Sequence, residues 1–271
     1  MQIPLGKRRA GYGPEGDEAV IVASLVASVN RTPAEVSFEV TIPVLGTQRR
    51  KNMDAIEAIY TTRAMRRVKP DPIPEEVQKK ILDAAVRAPT GGNAQGWRFL
   101  LVDDPKVKAE LGPIYRECME TLWGSIYKDR IDAAAANPED PESIEFNKMF
   151  RSASHLSEHF EEYPLILFAF CQFDNSGGSI FPAVWNAMLA ARTEGVGSAL
   201  TSVFFFQLEE MKKVLGVPAE GDWHFSACVT FGYPTGKWGV APRRPAHEVS
   251  FKNSWDGDLG FEIPEPLFSL D

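Results

Sequence analysis

Cysteine is scarce in this chain. Its 271 residues include three: Cys118, Cys171 and Cys228, far apart and with no Cys-x-x-Cys pair. That spacing excludes a disulfide framework and a thiolate zinc site, and it suits a reducing cytoplasm. Positive charge is not in excess either. Lys and Arg total 29 against 37 Asp and Glu, a net charge of −8, so non-specific binding to nucleic acid is not expected. No apolar run reaches the ~18–20 residues of a membrane span. There is no Gly-x-Ser-x-Gly, no Ser-His-Asp order stands out, and no internal repeat or low-complexity tract occurs. What remains is the composition of an ordinary soluble domain, 44% hydrophobic and 24% charged, long enough for one large core.

Three motif matches lose their meaning in context. His155-Leu156-Ser157-Glu158-His159 spells His-x-x-Glu-His, and on a helix the two histidines share a face. A zinc site needs a third ligand, yet the other histidines, His224 and His247, stand in no ligand motif, so the pair reads as a solvated helix face and no metal is expected. Gly11-Tyr12-Gly13-Pro14-Glu15-Gly16 fits Gly-x-Gly-x-x-Gly, but Lys7-Arg8-Arg9-Ala10 precedes it where a dinucleotide fold needs an apolar strand. Ala19–Val29 is apolar like a secretory leader, but Asp17-Glu18 abut it.

Residues 1–52 form a segment of their own. They carry seven Lys/Arg against five acids, +2, which leaves −10 for the rest. Met53-Asp54 then opens an amphipathic helix, so 1–52 reads either as an upstream extension or as an N-terminal arm. Beyond it the periodicity predicts helices at about 53–62, 74–88, 105–128, 142–161, 179–194 and 207–215. It predicts strands at Trp97–Val102, Pro164–Phe170, Ser198–Val203 and Phe225–Phe231. Helices and strands without strict alternation indicate the α+β class. Helix 179–194 is apolar on most faces and should be central. The tail 246–271 has no period but holds Phe251, Trp255, Phe261 and Phe268, too much apolar surface to leave in water.

Four segments carry chemistry. Ala88–Phe99 is a polar, glycine-rich loop between a helix and a strand. Gly91, Gly92 and Gly96 allow bare backbone to approach a flat ligand, and Asn93 offers both a donor and an acceptor to a ring edge. Thr62–Val68 contains Arg63, Arg66 and Arg67, and Pro242-Arg243-Arg244-Pro245 holds an Arg pair on stiff backbone. Guanidinium suits phosphate because it stays charged and binds in two-pronged fashion. Gly195–Ser202 reads as a helix cap feeding a strand. Absence of an evident nucleophile or general base suits an enzyme whose cofactor carries the reaction.

With these segments in this order, and with Phe231-Gly232-Tyr233-Pro234, the chain resembles the FMN-dependent nitroreductase family over about residues 53–260. Phe181-Pro182-Ala183-Val184-Trp185 and the Thr90–Trp97 loop resemble an actinobacterial branch of it. The resemblance implies a nitroreductase-like α+β fold, with a central mixed, mostly antiparallel sheet flanked by helices. It implies a helical insertion at about 112–160 acting as a lid, an intertwined homodimer, and a C-terminal arm 246–271 that wraps the partner. It also implies FMN as cofactor and NAD(P)H as co-substrate. A nitroaromatic, quinone or related small-molecule acceptor would be reduced by hydride transfer in two steps through flavin N5. Arg63 and Arg66, with Arg243 or Arg244, would hold the phosphate and ribityl chain. Ala64 stands where many relatives have Ser, and Thr62 where many have Arg. Thr90 and Asn93 would border the flavin, and the backbone of Thr201 and Ser202 would approach its ring. No protein side chain is expected to be catalytic. Trp123, Tyr127 and Phe150 are candidates for the acceptor pocket, with core packing as the alternative. Dehalogenation, enone reduction, flavin-consuming chemistry, or flavin binding without turnover are the other readings.

Overall fold

The computed structural model describes residues 53–174 and 176–270, so the readings made of residues 1–52 lie outside the described residues. Four strands form one sheet: β1 (Trp97–Val102), β2 (Leu165–Cys171), β3 (Gly197–Thr201) and β4 (His224–Gly232), in the order β1-β2-β4-β3. Every strand pair is antiparallel. Trp97 lies opposite Cys171, Leu165 opposite Phe231, and Ser198 opposite Phe231. The parallel component of the expected mixed sheet is confined to a single bridge, Ala64 to Ser198.

The two central strands, Leu-Ile-Leu-Phe-Ala-Phe-Cys and the run ending at Gly232, are buried almost throughout. Helices cover both faces, so apolar residues are needed in both directions. Leu165, Leu167 and Ala169 face a core built with α2 (Glu75–Ala85) and α6 (Ile180–Thr193). Ile166, Phe168 and Phe170 face a second core built with α3 (Pro105–Gly124), α5 (Pro141–Glu158) and α7 (Leu208–Val214). Helix α6 is central, as its composition predicts. Three helices start on an N-cap Asp side chain. Asp54 accepts from the Ile56 N–H at 2.8 Å to open α1 (Ala55–Thr61), Asp104 accepts from the Lys106 N–H at 2.8 Å, and Asp140 accepts from the Glu142 N–H at 3.0 Å. No described helix is long and apolar enough to cross a membrane.

Two local differences from the sequence reading have physical causes. The helix expected to run to 128 stops at Gly124, and Ser125 leaves helical geometry at φ −119°, ψ −83°. A separate α4 (Lys128–Ala136) follows. It is alanine-rich, with no apolar period to betray it. The stretch read as a lid is thus built from α3, α4 and α5. The aromatic rings considered for a pocket join those helices: Trp123 lies 4.7 Å from Phe150 and 5.3 Å from Tyr127 between ring centres.

Residues 63–69 run extended past the start of β3 and the end of β4. The Met65 N–H donates to the Ser198 carbonyl at 2.9 Å and the Lys69 N–H to the Tyr233 carbonyl at 2.8 Å. Glycine permits this close approach. A Cβ on Gly197 would lie 2.7 Å from the Cβ of Met65, and one on Gly232 would lie 2.6 Å from the Cβ of Val68. Among its described residues the tail carries only a short 3₁₀ turn, Ala246–Val249. Phe268 packs on Tyr60 at 5.4 Å, whereas Trp255 is 87% and Phe261 59% exposed.

Candidate functional site

The extended segment 63–66 sends its side chains different ways. Met65 enters the core. The Arg63 guanidinium donates from Nη2 to the Lys237 carbonyl at 2.8 Å. Arg66 turns to α5, where its Nη1 lies 3.4 Å from the Ser152 hydroxyl, and its carbonyl accepts from the Tyr163 hydroxyl at 2.5 Å. Arg66 also lines a cavity of about 170 Å³ with His155, His159 and Tyr163. Exposed Ala64 lies beside Ser198 at the edge of β3.

Arg243 and Arg244 line a cavity of about 410 Å³ with Tyr60, Thr62 and Trp185, closed on one side by residues 263–267 of the tail. Both guanidiniums are exposed. The contacts of Arg243 and Arg244 are a neighbouring carbonyl and the Glu248 carboxylate at 3.4 Å. Arg63, Arg243 and Arg244 thus come from or reach the same irregular stretch after β4, while Arg66 stands apart from them.

The glycine loop lies at the other end of the sheet. It contains a 3₁₀ turn, Gly91–Asn93, in which Gly92 has φ +57° and Asn93 φ +54°. Asparagine is among the few side chains that accept this left-handed region. The loop is fixed to the end of β2: the Gln172 N–H donates to the Gly96 carbonyl at 2.7 Å, and the Gln95 N–H donates to the Thr90 hydroxyl at 3.2 Å. Nothing lies within 4 Å of where a Cβ on Gly91 or Gly92 would stand, so a planar group can reach this backbone. Asn93 is exposed, and its side-chain oxygen accepts from Gln95 Nε2 at 3.0 Å.

Thr201 ends β3, an edge strand, and its hydroxyl lies 3.4 Å from the Tyr115 hydroxyl. Ser202 is exposed and lines a second cavity of about 410 Å³ with Cys171, Phe205 and His224. Beyond Ser198 the outer edge of β3 pairs with no described strand. Burial raises the hydroxyls of Tyr115 and Tyr163, so both stay neutral donors at physiological pH. Burial also raises the thiols of Cys171 and Cys228, which keeps them protonated and unreactive. Among the described residues no group of three or more His, Cys, Asp or Glu side chains converges as a metal site. The histidine pair, 4.4 Å between ring centres, lies at the end of α5 with Nδ1 of His159 2.9 Å from the Glu162 carboxylate.

The distance between the two halves of this constellation decides how a ligand can use them. From Trp97 to Ala64 the path runs along β2 from Cys171 to Leu165 and across from β1 to the far side of β3. With ~3.4 Å per residue and ~4.8 Å per strand, that separation is roughly 25–30 Å. Sequence reasoning missed Arg192 and Trp238, which lie 4.0 Å apart between Thr61, bonded to Arg192, and Lys237, whose carbonyl accepts from Arg63. The available signal was a lone arginine in the otherwise apolar α6.

A profile described as the Nitroreductase family matches residues 59–233. The NADH dehydrogenase of Thermus thermophilus is 26% identical over 220 residues, which is 78% of this chain and 98% of that protein. The 5,6-dimethylbenzimidazole synthase of Rhodospirillum rubrum is 29% identical over 196 residues, 67% of this chain and 82% of that protein. The crystal structure of iodotyrosine deiodinase bound to FMN and 3-iodo-L-tyrosine superposes with a TM-score of 0.57 at 23% identity, covering 74% of this chain and all of that one.

Proposed function

Because this chain belongs to the nitroreductase family, we propose that it is an FMN-dependent oxidoreductase of the cytoplasm. It acts as a homodimer, takes reducing equivalents from NAD(P)H and passes them to a nitroaromatic, a quinone or a related small acceptor. The observation that carries the reading is the separation of its two binding halves. The cationic end, Arg63 with Arg243 and Arg244, and the amide end, Thr90 and Asn93, lie further apart than FMN is from ring edge to phosphate. A flavin lying along the free edge of β3 meets the first of these on its own chain. The second must come from another copy.

The residues present fit FMN. Exposed guanidiniums suit a dianionic phosphate. The unpaired edge of β3 at Thr201 and Ser202 offers main-chain groups to a ring, and the bare backbone of Gly91 and Gly92 admits a flat face. Bound FMN would supply hydride transfer between the nicotinamide and the acceptor. The chain's own residues bind it, orient it and keep water from it; the lid helices bound the space left for the acceptor. The apolar surface left uncovered on one chain supports the dimer: Ile56 and Ile59 on α1, Phe181 and Trp185 on α6, and the tail aromatics are all partly or largely exposed.

A second reading keeps the same site but a different reaction. Relatives named for dimethylbenzimidazole synthesis and deiodination favour it. Purified protein settles the first question: it should be yellow, and acid or heat should release FMN. Protein that stays colourless after incubation with excess FMN refutes the reading. An acceptor screen with NADH and NADPH, including iodinated aromatics, then separates the two reactions.

A further inference from the structure

Arg192 has no role in the reading above, yet it is 5% exposed, the most buried arginine among the described residues. It sits in the last turn of α6, where its inward neighbours are Ala187, Met188 and Ala191. A buried cation is costly unless partners replace its water. Arg192 has three. Its Nε donates to the Thr61 hydroxyl at 2.8 Å, its Nη2 lies 3.4 Å from the Glu57 carboxylate, and its guanidinium lies 4.0 Å from the centre of the Trp238 ring. Burial lowers its pKa and Glu57 opposes that shift.

Two of those partners adjoin Arg63, one in the chain before it and one beside the residue that accepts its hydrogen bond. Thr61 precedes Arg63 by two residues. Trp238 follows Lys237, whose carbonyl accepts the Arg63 guanidinium at 2.8 Å. Pro234 bridges Val68 and the Thr235 N–H donates to the Arg67 carbonyl at 3.0 Å, but beyond them the stretch to Pro245 contains no helix or strand of its own, so side-chain contacts hold it there. We propose that Arg192 is a positioning residue: by holding Thr61 and Trp238 at once, it fixes both the chain leading into Arg63 and the stretch that Arg63 bonds. That keeps Arg63 and the Arg243-Arg244 pair directed at one anion. A planar guanidinium can stack on a ring and donate edge-on at the same time, which lysine cannot. The inference rests on the reading that these arginines hold a flavin phosphate.

The test uses Arg192→Gln, Trp238→Ala and Trp238→Phe in the full chain, with two readouts. The first is amide hydrogen exchange over residues 236–245 in flavin-free protein. The second is the pair of dissociation constants for FMN and riboflavin, which differ only in the phosphate. Arg192→Gln and Trp238→Ala should speed exchange in that segment while β2 and β4 keep their protection. Each should weaken FMN about tenfold, the size of one desolvated cation–π or hydrogen-bonded contact, and leave riboflavin unchanged. Trp238→Phe, which keeps a ring under the cation, should retain most of the FMN affinity. If Arg192→Gln fails to fold, the half-buried Trp238 still carries the test. Equal losses of FMN and riboflavin, or unchanged exchange in both variants, would overturn the positioning role. A wild type that shows no preference for FMN over riboflavin would overturn the phosphate reading itself, before any variant is measured.

Discussion

If each site is assembled from two chains, two different defects should complement each other. Arg63→Ala removes the cationic end. Asn93→Gly removes the amide at the other end while keeping the left-handed backbone at φ +54° free of strain. A charge-assisted bond contributes ~1.5–3 kcal/mol, so Arg63→Ala should weaken FMN by roughly ten- to over a hundredfold. One or two neutral bonds at ~0.5–1.5 kcal/mol each should make Asn93→Gly weaker by a few-fold to about a hundredfold. Co-expression with two different tags allows the mixed dimer to be purified. Its two sites are then unequal. One combines both defects, while the other combines the intact Arg63 of one chain with the intact loop of its partner. Flavin titration should find about half the sites at wild-type affinity, as two-fold symmetry requires. Fluorescence quenching of FMN during titration gives both affinity and stoichiometry. A mixed dimer in which no site regains wild-type affinity would refute the reasoning, because it would mean that Arg63 and Asn93 serve one flavin from the same chain.

Three further outcomes follow from particular features. Ending the chain after Pro245 removes four aromatics worth ~1.5–3 kcal/mol each when buried, together with the tail wall of the Arg243–Arg244 cavity. Dimer and flavin should be lost in step by light scattering and absorbance, and a truncated dimer would show that the tail packs elsewhere. A chain starting at Met53 keeps the Asp54 cap of α1 and should fold and bind FMN; loss of solubility or flavin would assign residues 1–52 a structural role. The His155 pKa is held below its ordinary value by burial, then by His159 and Arg67, with Glu158 and Glu162 opposing. The unfolded chain therefore takes up a proton near pH 6.5 before the folded one does, and stability should fall as pH drops below that value. Urea midpoints at about pH 7.5 and about pH 5.5 should diverge less in His155→Gln than in wild type. Equal divergence would exclude His155 as a source of that slope.

Most elements were legible because their signals are local. β2 and β4 are buried on both faces, so β2 appears as an unbroken apolar run and β4, after His224, as one interrupted only by Ser226 and Thr230. α3 and α5 begin at Asp-Pro pairs whose carboxylates cap the first turn. α4 was not legible, since alanine favours a helix without marking which face it buries. The glycines Gly197 and Gly232 could be read as parts of a motif, but not their reason, which is that Met65 and Val68 cross directly above them.

The candidate site divides along the same line. Residue chemistry alone marks Arg63, Arg66, Arg243 and Arg244 as anion partners and Asn93 as a partner for a ring edge, because charge and donor count belong to the side chain wherever it lies. Direction and distance do not. Extended backbone alternates its side chains, and only the tertiary structure decides that Arg63 turns to Lys237 while Arg66, three residues on, turns to Ser152 on α5. Only the strand order sets Thr90 and Asn93 at the opposite edge and end of the sheet from Arg63. Arg192 is likewise a lone cation in an apolar helix until folding brings Thr61 and Trp238 to it. Its partners are 131 residues away in one direction and 46 in the other, and no local pattern in a sequence records contacts across such separations.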